Sequence, residues 1–402
     1  MSKSILAASL FPALAFSASC SSAQTGDSAP SSTVSTTGAP ASQTIVAGEP
    51  VSLDSQTPFT AASHGTFAEP WAIAVHPQNG TLFVTEKAGT MKVYDPSSGR
   101  QGSVTGLPEV AYGGQGGLGD FVFAPDFAQS GAVYLSWAAS AGGDARKAVV
   151  GRGRLACDQA DACRIEGLAP VWEQSLPIAS AGHFSHKIAF SPDGRYLFVS
   201  SGDRMQGAPA QDLSNNLGSV VRLMPDGTPA PGNPFADRGG ATSQVWTYGQ
   251  RNILGLAFDP EGELWGLEHG PRGGDELNHL EPGNNYGWPV RSNGNDYSGT
   301  DIPDHTADDG FVKPAISWNP VIAPGGMIQY QGSRFSDWTG DFILAGLVQK
   351  GIVRVRVSGN TAIEAARISL GARIRQIDEG PDGSIWALQD GTSAKLIELS
   401  PG

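Results

Sequence analysis

The chain has 402 residues, 40% apolar and 16% charged, with 53 glycines and 28 prolines, so it can bury a large core in one or two domains built from many turns and short strands. A net charge of −13 excludes the basic face that nucleic-acid binding requires. Nothing in the chain is apolar for long enough to be an ordinary membrane span.

Residues 1–20 read as an export signal: Lys3, a mostly apolar run over 5–16, then small residues up to Cys20. Cys20 followed by Ser21 and Ser22 resembles a bacterial lipoprotein cleavage and lipidation site, with Ser17 where leucine is usual. Cleavage without lipidation is the alternative. Residues 21–55 are Ser, Thr, Ala, Gly, Gln and Pro with hardly an aromatic, a composition that cannot bury enough surface to fold. They are expected to be a disordered tether, with the folded domain covering 56–402. The chain is therefore expected in the periplasm or at the cell surface, held to the membrane only by a lipid. With Cys20 set aside, Cys157 and Cys163 form an even pair across a small loop, and an exported protein favours a disulfide there over two free thiols.

From residue 71 onward one pattern recurs: an apolar run, a proline-centred turn and a second apolar run. The turn prolines are Pro77, Pro125, Pro192, Pro260 and Pro381. The last gap is about twice the others, and a unit with a degraded turn near 315–360 fills it. Six units of roughly 61 residues result. Short strands in hairpins at that period, with hardly any helical periodicity, predict an all-β fold: a six-bladed β-propeller of four-stranded antiparallel blades, closed by pairing the ends of the folded chain.

Polar stretches interrupt this pattern at the edges of predicted strands. Gly113, Gly114, Gln115, Gly116 and Gly117 form a dense glycine run, either a bare turn or a place where backbone approaches a ligand. His183 opens a strand, and Asp203 follows one strand pair later; a histidine with a carboxylate to orient it suits a general base near neutral pH. Alone, that histidine reads as structural. Gln250, Arg251 and Asn252 precede the run at 254–258, and residues 269–276 follow the run at 264–268 with charge, glycine and little apolar surface. Arg373 and Arg375 lie on one side of a strand, a pair that either is solvated or holds an anion.

In order, GQGGLGDFVFAPDF, the His183 segment, SSGDR, QDLSNNLGSVVRLMPDG, YGQRN, LEHGPRGGDELN, NNYGWP, APGGM and ARIRQI resemble the soluble glucose dehydrogenase and aldose sugar dehydrogenase family, which uses pyrroloquinoline quinone (PQQ). The resemblance covers roughly residues 65–400 and implies a six-bladed propeller. It implies that aldoses are oxidised at the anomeric carbon to lactones, with hydride passing to PQQ and electrons to an external acceptor, a cytochrome or a quinone. By resemblance, His183 is the general base, Asp203 orients it and touches substrate, and Arg251 is the cation at the quinone oxygens. Asn252, Arg373 and Arg375 are cofactor contacts, with the three carboxylates of PQQ as the anion between the arginines. The Gly270 and Pro271 carbonyls are ligands of the cofactor Ca2+ (calcium), and Gln115 and Asp275 are further substrate or cofactor contacts. The family's lysine aligns with Gln349, so Lys350, one residue on, is its candidate replacement. Ile253 and Leu254 depart from the usual RNPQG motif, and His186 stands where glycine is common. The long insertions of the glucose enzyme are absent, which implies a shorter aldose sugar dehydrogenase and a monomer. The alternatives are a non-catalytic propeller that binds a glycan or protein, and a calcium-dependent hydrolase, which would want several carboxylates converging on one metal.

Overall fold

The computed structural model describes residues 48–54 and 57–401. The export signal, Cys20 and most of the expected tether lie outside them. Within the described residues the regular structure is 27 strands, one four-residue helix at Phe127–Ser130 and four short 3-10 turns. None of these helices is long and apolar enough to cross a membrane.

Six strands organise the rest: β1 (Pro70–Val75), β2 (Leu118–Phe123), β3 (Ser185–Phe190), β4 (Ile253–Phe258), β5 (Pro324–Gln329) and β6 (Ile374–Glu379). Each lies against the next and β6 lies against β1, so they form a closed, β-propeller-like ring. From each, the chain turns back into an antiparallel neighbour further out. Phe59–Phe67 pairs antiparallel with Ala394–Pro401, which joins the two ends of the folded chain.

The sheets do not separate into the six four-stranded units expected. Three have four strands, one has five, one has eight, and a two-stranded ribbon stands apart. The eight-stranded sheet exists because the otherwise free edge of Arg100–Thr105 pairs in parallel with Ala162, Cys163 and Arg164. The fifth strand of the five-stranded sheet is Glu49–Pro50, paired with Ala62 and Ser63. Ordered structure therefore reaches into the stretch read as a tether. Backbone pairing does not depend on an apolar sequence, and Val51 and Leu53 pack on a core cluster containing Phe59 and Trp338.

The core lies between neighbouring sheets. One cluster joins Trp265, Leu267 and Leu277 to Phe342, Leu344, Val353 and Val355; another joins Tyr134, Ala148 and Trp172 to Leu197, Val199 and Val221. The second strand of a sheet is consequently covered on both faces. Leu82–Glu86, Leu197–Ser201 and Phe342–Gly346 are buried at every position, which is why apolar residues follow one another at 82–84, 197–199 and 342–345 instead of alternating with polar ones. Each buried Leu, Ile or Val side chain contributes roughly 1.5–3 kcal/mol. The outer strand Thr361–Ser369 is mostly exposed.

All six ring strands break register at the same end. The irregularities fall between Pro70 and Ala72, Leu118 and Phe121, Ser185 and Ile188, Ile253 and Gly255, Pro324 and Gly326, and Ile374 and Gln376. A bulge bends its strand and re-aims side chains. Six of them at the N-terminal ends turn those ends into one cleft.

Candidate active site

The cleft has a volume of about 480 Å³. Every ring strand contributes to it at or just before its first residues: Trp71 from β1, Gln115 before β2, His183 before β3, Arg251, Asn252 and Leu254 around the start of β4, Ala323 before β5, and Arg373 and Arg375 at β6. Gly270, Pro271 and Asp275 complete one wall.

His183 is buried, with φ at 47°, a left-handed conformation that costs a non-glycine residue about 1 kcal/mol or more. Three contacts hold it there. Its Nδ1 lies 2.6 Å from Asp203 Oδ1, its backbone N–H donates to Gln115 Oε1 at 2.7 Å, and its carbonyl accepts the Arg204 N–H at 3.3 Å. With Nδ1 committed to a carboxylate, Nε2 is the ring nitrogen left for the cleft. Asp203 is itself fully buried, and its oxygens face further donors: Met205 N–H at 2.8 Å, Trp288 Nε1–H at 2.7 Å and Gly207 N–H at 3.2 Å. Burial alone would raise its pKa, but the His183 ring and these donors hold it below the usual carboxylate value.

Arg251 is buried at the head of β4. Its backbone N–H donates to Glu268 Oε2 at 2.7 Å, and its guanidinium lies over the rings of Trp288 and Tyr297, 5.2 and 5.8 Å from their centres. Nη1 donates to the His269 carbonyl at 3.3 Å, while Nε is buried without a hydrogen-bond partner among the described residues. A buried cationic donor without an acceptor is costly, and this one sits in the cleft wall. Burial, with Arg251 and Arg375 nearby, pushes His269 down to about 3, so that ring is neutral. Asn252 is held by Ser185, whose hydroxyl donates to its Oδ1 at 3.1 Å.

Behind Arg251, Glu268 and Glu276 are both buried and share Asn278, whose amide donates to Glu268 at 3.0 Å and to Glu276 at 3.3 Å. Burial, and for Glu276 the nearby Glu268 charge, push both carboxyls well above the usual range.

Gly270 turns so tightly that a Cβ there would sit 2.2 Å from the Gly273 and Gly274 carbonyl oxygens. Its N–H donates to Asp275 Oδ1 at 3.0 Å, and Asp275 Oδ2 accepts the Ala323 N–H at 2.7 Å. Asp275, expected to touch substrate, thus spends both oxygens on backbone, and burial raises it to about 6. It fixes the turn that aims the Gly270 and Pro271 carbonyls. Neither of those carbonyl oxygens accepts a hydrogen bond among the described residues. No group of three or more His, Cys, Asp or Glu suited to a metal occurs among the described residues, so a cation here would rest on backbone oxygens.

The arginine pair differs from expectation. Arg373 Nε donates to Asp390 Oδ2 at 2.9 Å, and Arg375 donates to Asp390 Oδ1 through Nη2 at 2.8 Å and Nε at 3.1 Å. The anion between them is already supplied by the protein. One net positive charge remains, and Arg375 stacks on Trp71 at 4.8 Å. Lys350 is not brought to the cleft: it is an exposed turn residue with φ at 55°, and Leu347 and Val348 line the wall beside it. The lysine that does line the cleft is Lys87, whose Nζ donates to the Gly114 carbonyl at 3.2 Å. Trp71, Lys87, His269, Trp288, Tyr297 and Asp390 went unassigned in the sequence; the tryptophan of NNYGWP and the aspartate after β6's partner strand Ile385–Gln389 were visible but gave no sign of direction. Away from the cleft, Cys157 and Cys163 form the expected disulfide.

Residues 67–398 match the family model described as glucose/sorbosone dehydrogenase. Aldose sugar dehydrogenase YliI of Escherichia coli (strain K12) is 37% identical over 339 residues, 83% of this chain and 90% of that protein. The crystal structure of the soluble E. coli aldose sugar dehydrogenase in the apo-form superposes with a TM-score of 0.80 at 35% identity, covering 86% of this chain and all of that one. The PQQ-bound aldose sugar dehydrogenase from Streptomyces coelicolor gives a TM-score of 0.69 at 26% identity, covering 87% and 99%.

Proposed function

The chain belongs to the glucose/sorbosone dehydrogenase family, and from that premise we propose that it is a PQQ- and calcium-dependent dehydrogenase that oxidises aldoses at the anomeric carbon to lactones. The observation that carries the reading is the meeting in one cleft of the oriented His183/Asp203 pair and the Arg251 guanidinium.

The residues suit the cofactor. A polyanionic tricycle wants cations around a flat apolar floor, and the cleft has Lys87, Arg251, Arg373 and Arg375 about Trp71 and Leu254. The Arg251 guanidinium would gain an anion to face. The carbonyls of Gly270 and Pro271 would hold the calcium, a hard cation that takes oxygen ligands. Bound there, the quinone would supply the acceptor for the hydride, whose two electrons then pass to an external carrier. The protein's own part is the proton. His183 Nε2 takes it from the sugar's anomeric hydroxyl, and Asp203 stabilises the imidazolium that forms. Arg251 offers fixed positive charge where negative charge develops, without reorganisation at the moment of reaction. Gln115 holds the His183 backbone.

The ring of six strands supports a six-bladed propeller, with the eight-stranded sheet counted as two blades joined at an edge. The disulfide between Cys157 and Cys163 supports an oxidising, exported location.

Reconstitution tests the function. Metal-free protein from residue 48 onward is titrated with PQQ and calcium, and dye reduction is followed with a panel of aldoses. Stoichiometric uptake with sugar-dependent reduction is expected. A folded protein that takes up no cofactor would overturn the reading in favour of a binding propeller.

A further inference from the structure

Trp288 touches both halves of the apparatus without lining the cleft. Its indole N–H donates to Asp203 Oδ2 at 2.7 Å, and its ring lies 5.2 Å from the Arg251 guanidinium. It stands behind Arg251, around a small cavity that it shares with Glu268 and Tyr286. Its backbone is fixed independently of the indole: its N–H donates to the Gly249 carbonyl at 2.9 Å, and its carbonyl accepts the Gln211 amide at 2.7 Å.

We propose that Trp288 is a positioning residue that couples the His183/Asp203 pair to Arg251, holding Asp203 Oδ2 so that Oδ1 alone faces the imidazole while the same ring plane backs the guanidinium. The proposal rests on the function given above. A carboxylate is free to rotate about its last torsion, and its two oxygens are equivalent until something distinguishes them. Here Trp288 and Gly207 take one oxygen, His183 and Met205 the other. The Gly207 contact is the longer of the first two, at 3.2 Å, so the indole is the stronger anchor. The base and the oxyanion cation come from different ring strands, and Trp288 belongs to neither, so one side chain sets their relative geometry.

The test separates the two contacts. Trp288→Phe keeps a ring over Arg251 and removes the donor to Asp203. The carboxylate charge then falls more heavily on His183, and the pair takes up a proton more readily. The charged or titratable groups facing the pair are Arg204 beside Asp203, Arg251, Glu268 and His269, and the substitution changes none of them. The primary readout is the imidazole titration of His183 by NMR in cofactor-free protein, which needs no turnover. An upward move of about half to one pH unit is expected, together with the same move in the acid limb of kcat/KM. PQQ affinity of this variant stays within about threefold of wild type, whereas Trp288→Leu, which removes ring and donor together, weakens it about tenfold or more. Should Trp288→Phe unfold, benzothienylalanine at 288 keeps the shape without the N–H and is held to the same criterion. A folded variant in which His183 titrates as in wild type would overturn the proposal. Failure of wild type to take up PQQ would instead sink the function and leave the His183 titration standing.

Discussion

Asp203→Asn is a sharper test of the catalytic pair than removal of the histidine, because the buried carboxylate faces nothing but donors. Oδ1 meets His183 Nδ1 and Met205 N–H, and Oδ2 meets Trp288 Nε1–H and Gly207 N–H. Asparagine has one acceptor oxygen and one donor NH2. With the NH2 in the Oδ2 place, two donors are opposed. With the NH2 in the Oδ1 place, one is opposed, and His183 must present an unprotonated Nδ1. A buried donor without a partner costs about 1–3 kcal/mol, so the second arrangement wins by about that much. It also moves the ring proton to Nε2, the atom that must accept one. At 1.36 kcal/mol per decade, the tautomer preference alone removes roughly 10- to 100-fold. Loss of the charge that stabilises the imidazolium removes a further 10-fold or so, since charge-assisted bonds exceed neutral ones by about 1–2 kcal/mol. The expected fall in kcat/KM is roughly 10² to 10³, read by dye reduction at saturating PQQ and calcium, with cofactor stoichiometry unchanged. A fully loaded Asp203→Asn enzyme within tenfold of wild type would refute the argument that Asp203 selects the tautomer.

The buried carboxyls at 268 and 276 set a pH dependence of stability. Their folded pKa values lie above the ordinary ~4.3, so the folded state keeps protons that the unfolded chain has lost, and stability falls as pH rises from there through neutrality. In chelator, thermal melts between pH 5 and 9 should show this decline, by more than about 1.4 kcal/mol, and Glu276→Gln should flatten it; parallel curves would count against the pair. Lys87→Ala should weaken PQQ binding by about tenfold, because it removes a cation from the cleft wall, while Lys350→Ala should leave it unchanged; the opposite order in equilibrium titrations would restore the lysine expected from the sequence. Cys157→Ser should lower stability by about 2 kcal/mol, the value for closing so short a loop, with kcat/KM unaltered, as neither cysteine lines the cleft; a loss of activity matching the loss of stability would contradict that separation.

The sequence was most informative where a site residue sits beside a ring strand and names its own chemistry. His183, Arg251, Asn252, Gly270, Pro271, Arg373 and Arg375 are all at the cleft, and each precedes, begins or follows a strand that could be drawn from apolar runs. It was least informative where one residue's role depends on another loop. Asp390 answers Arg373 and Arg375 across the hairpin from β6 to Ile385–Gln389, and a bulge after Ile374 sets that register. Lys87 lines the cleft and Lys350 does not, because Lys350 sits exposed in a turn, which no count along the chain could reveal. Asp275 looks like a ligand in GPRGGDELN, yet two backbone N–H groups consume it.

The repeat and the site also occupy opposite ends of the same strands. Four of the turn prolines that mark the period, Pro77, Pro192, Pro260 and Pro381, line the wide cavity of about 1080 Å³ at the C-terminal ends of their ring strands. The site lies at the N-terminal ends, where the six bulges are. Turns that recur keep the strands equivalent, and that equivalence closes the ring. A site needs the reverse, since base, cation and carbonyl ligands must each come from a different strand. A bulge allows this: it re-aims one side chain locally and leaves the remainder of the strand in register with its sheet. The ring can therefore be regular at one mouth and chemically heterogeneous at the other, and a period measured from the turns carries information about the fold and none about the chemistry.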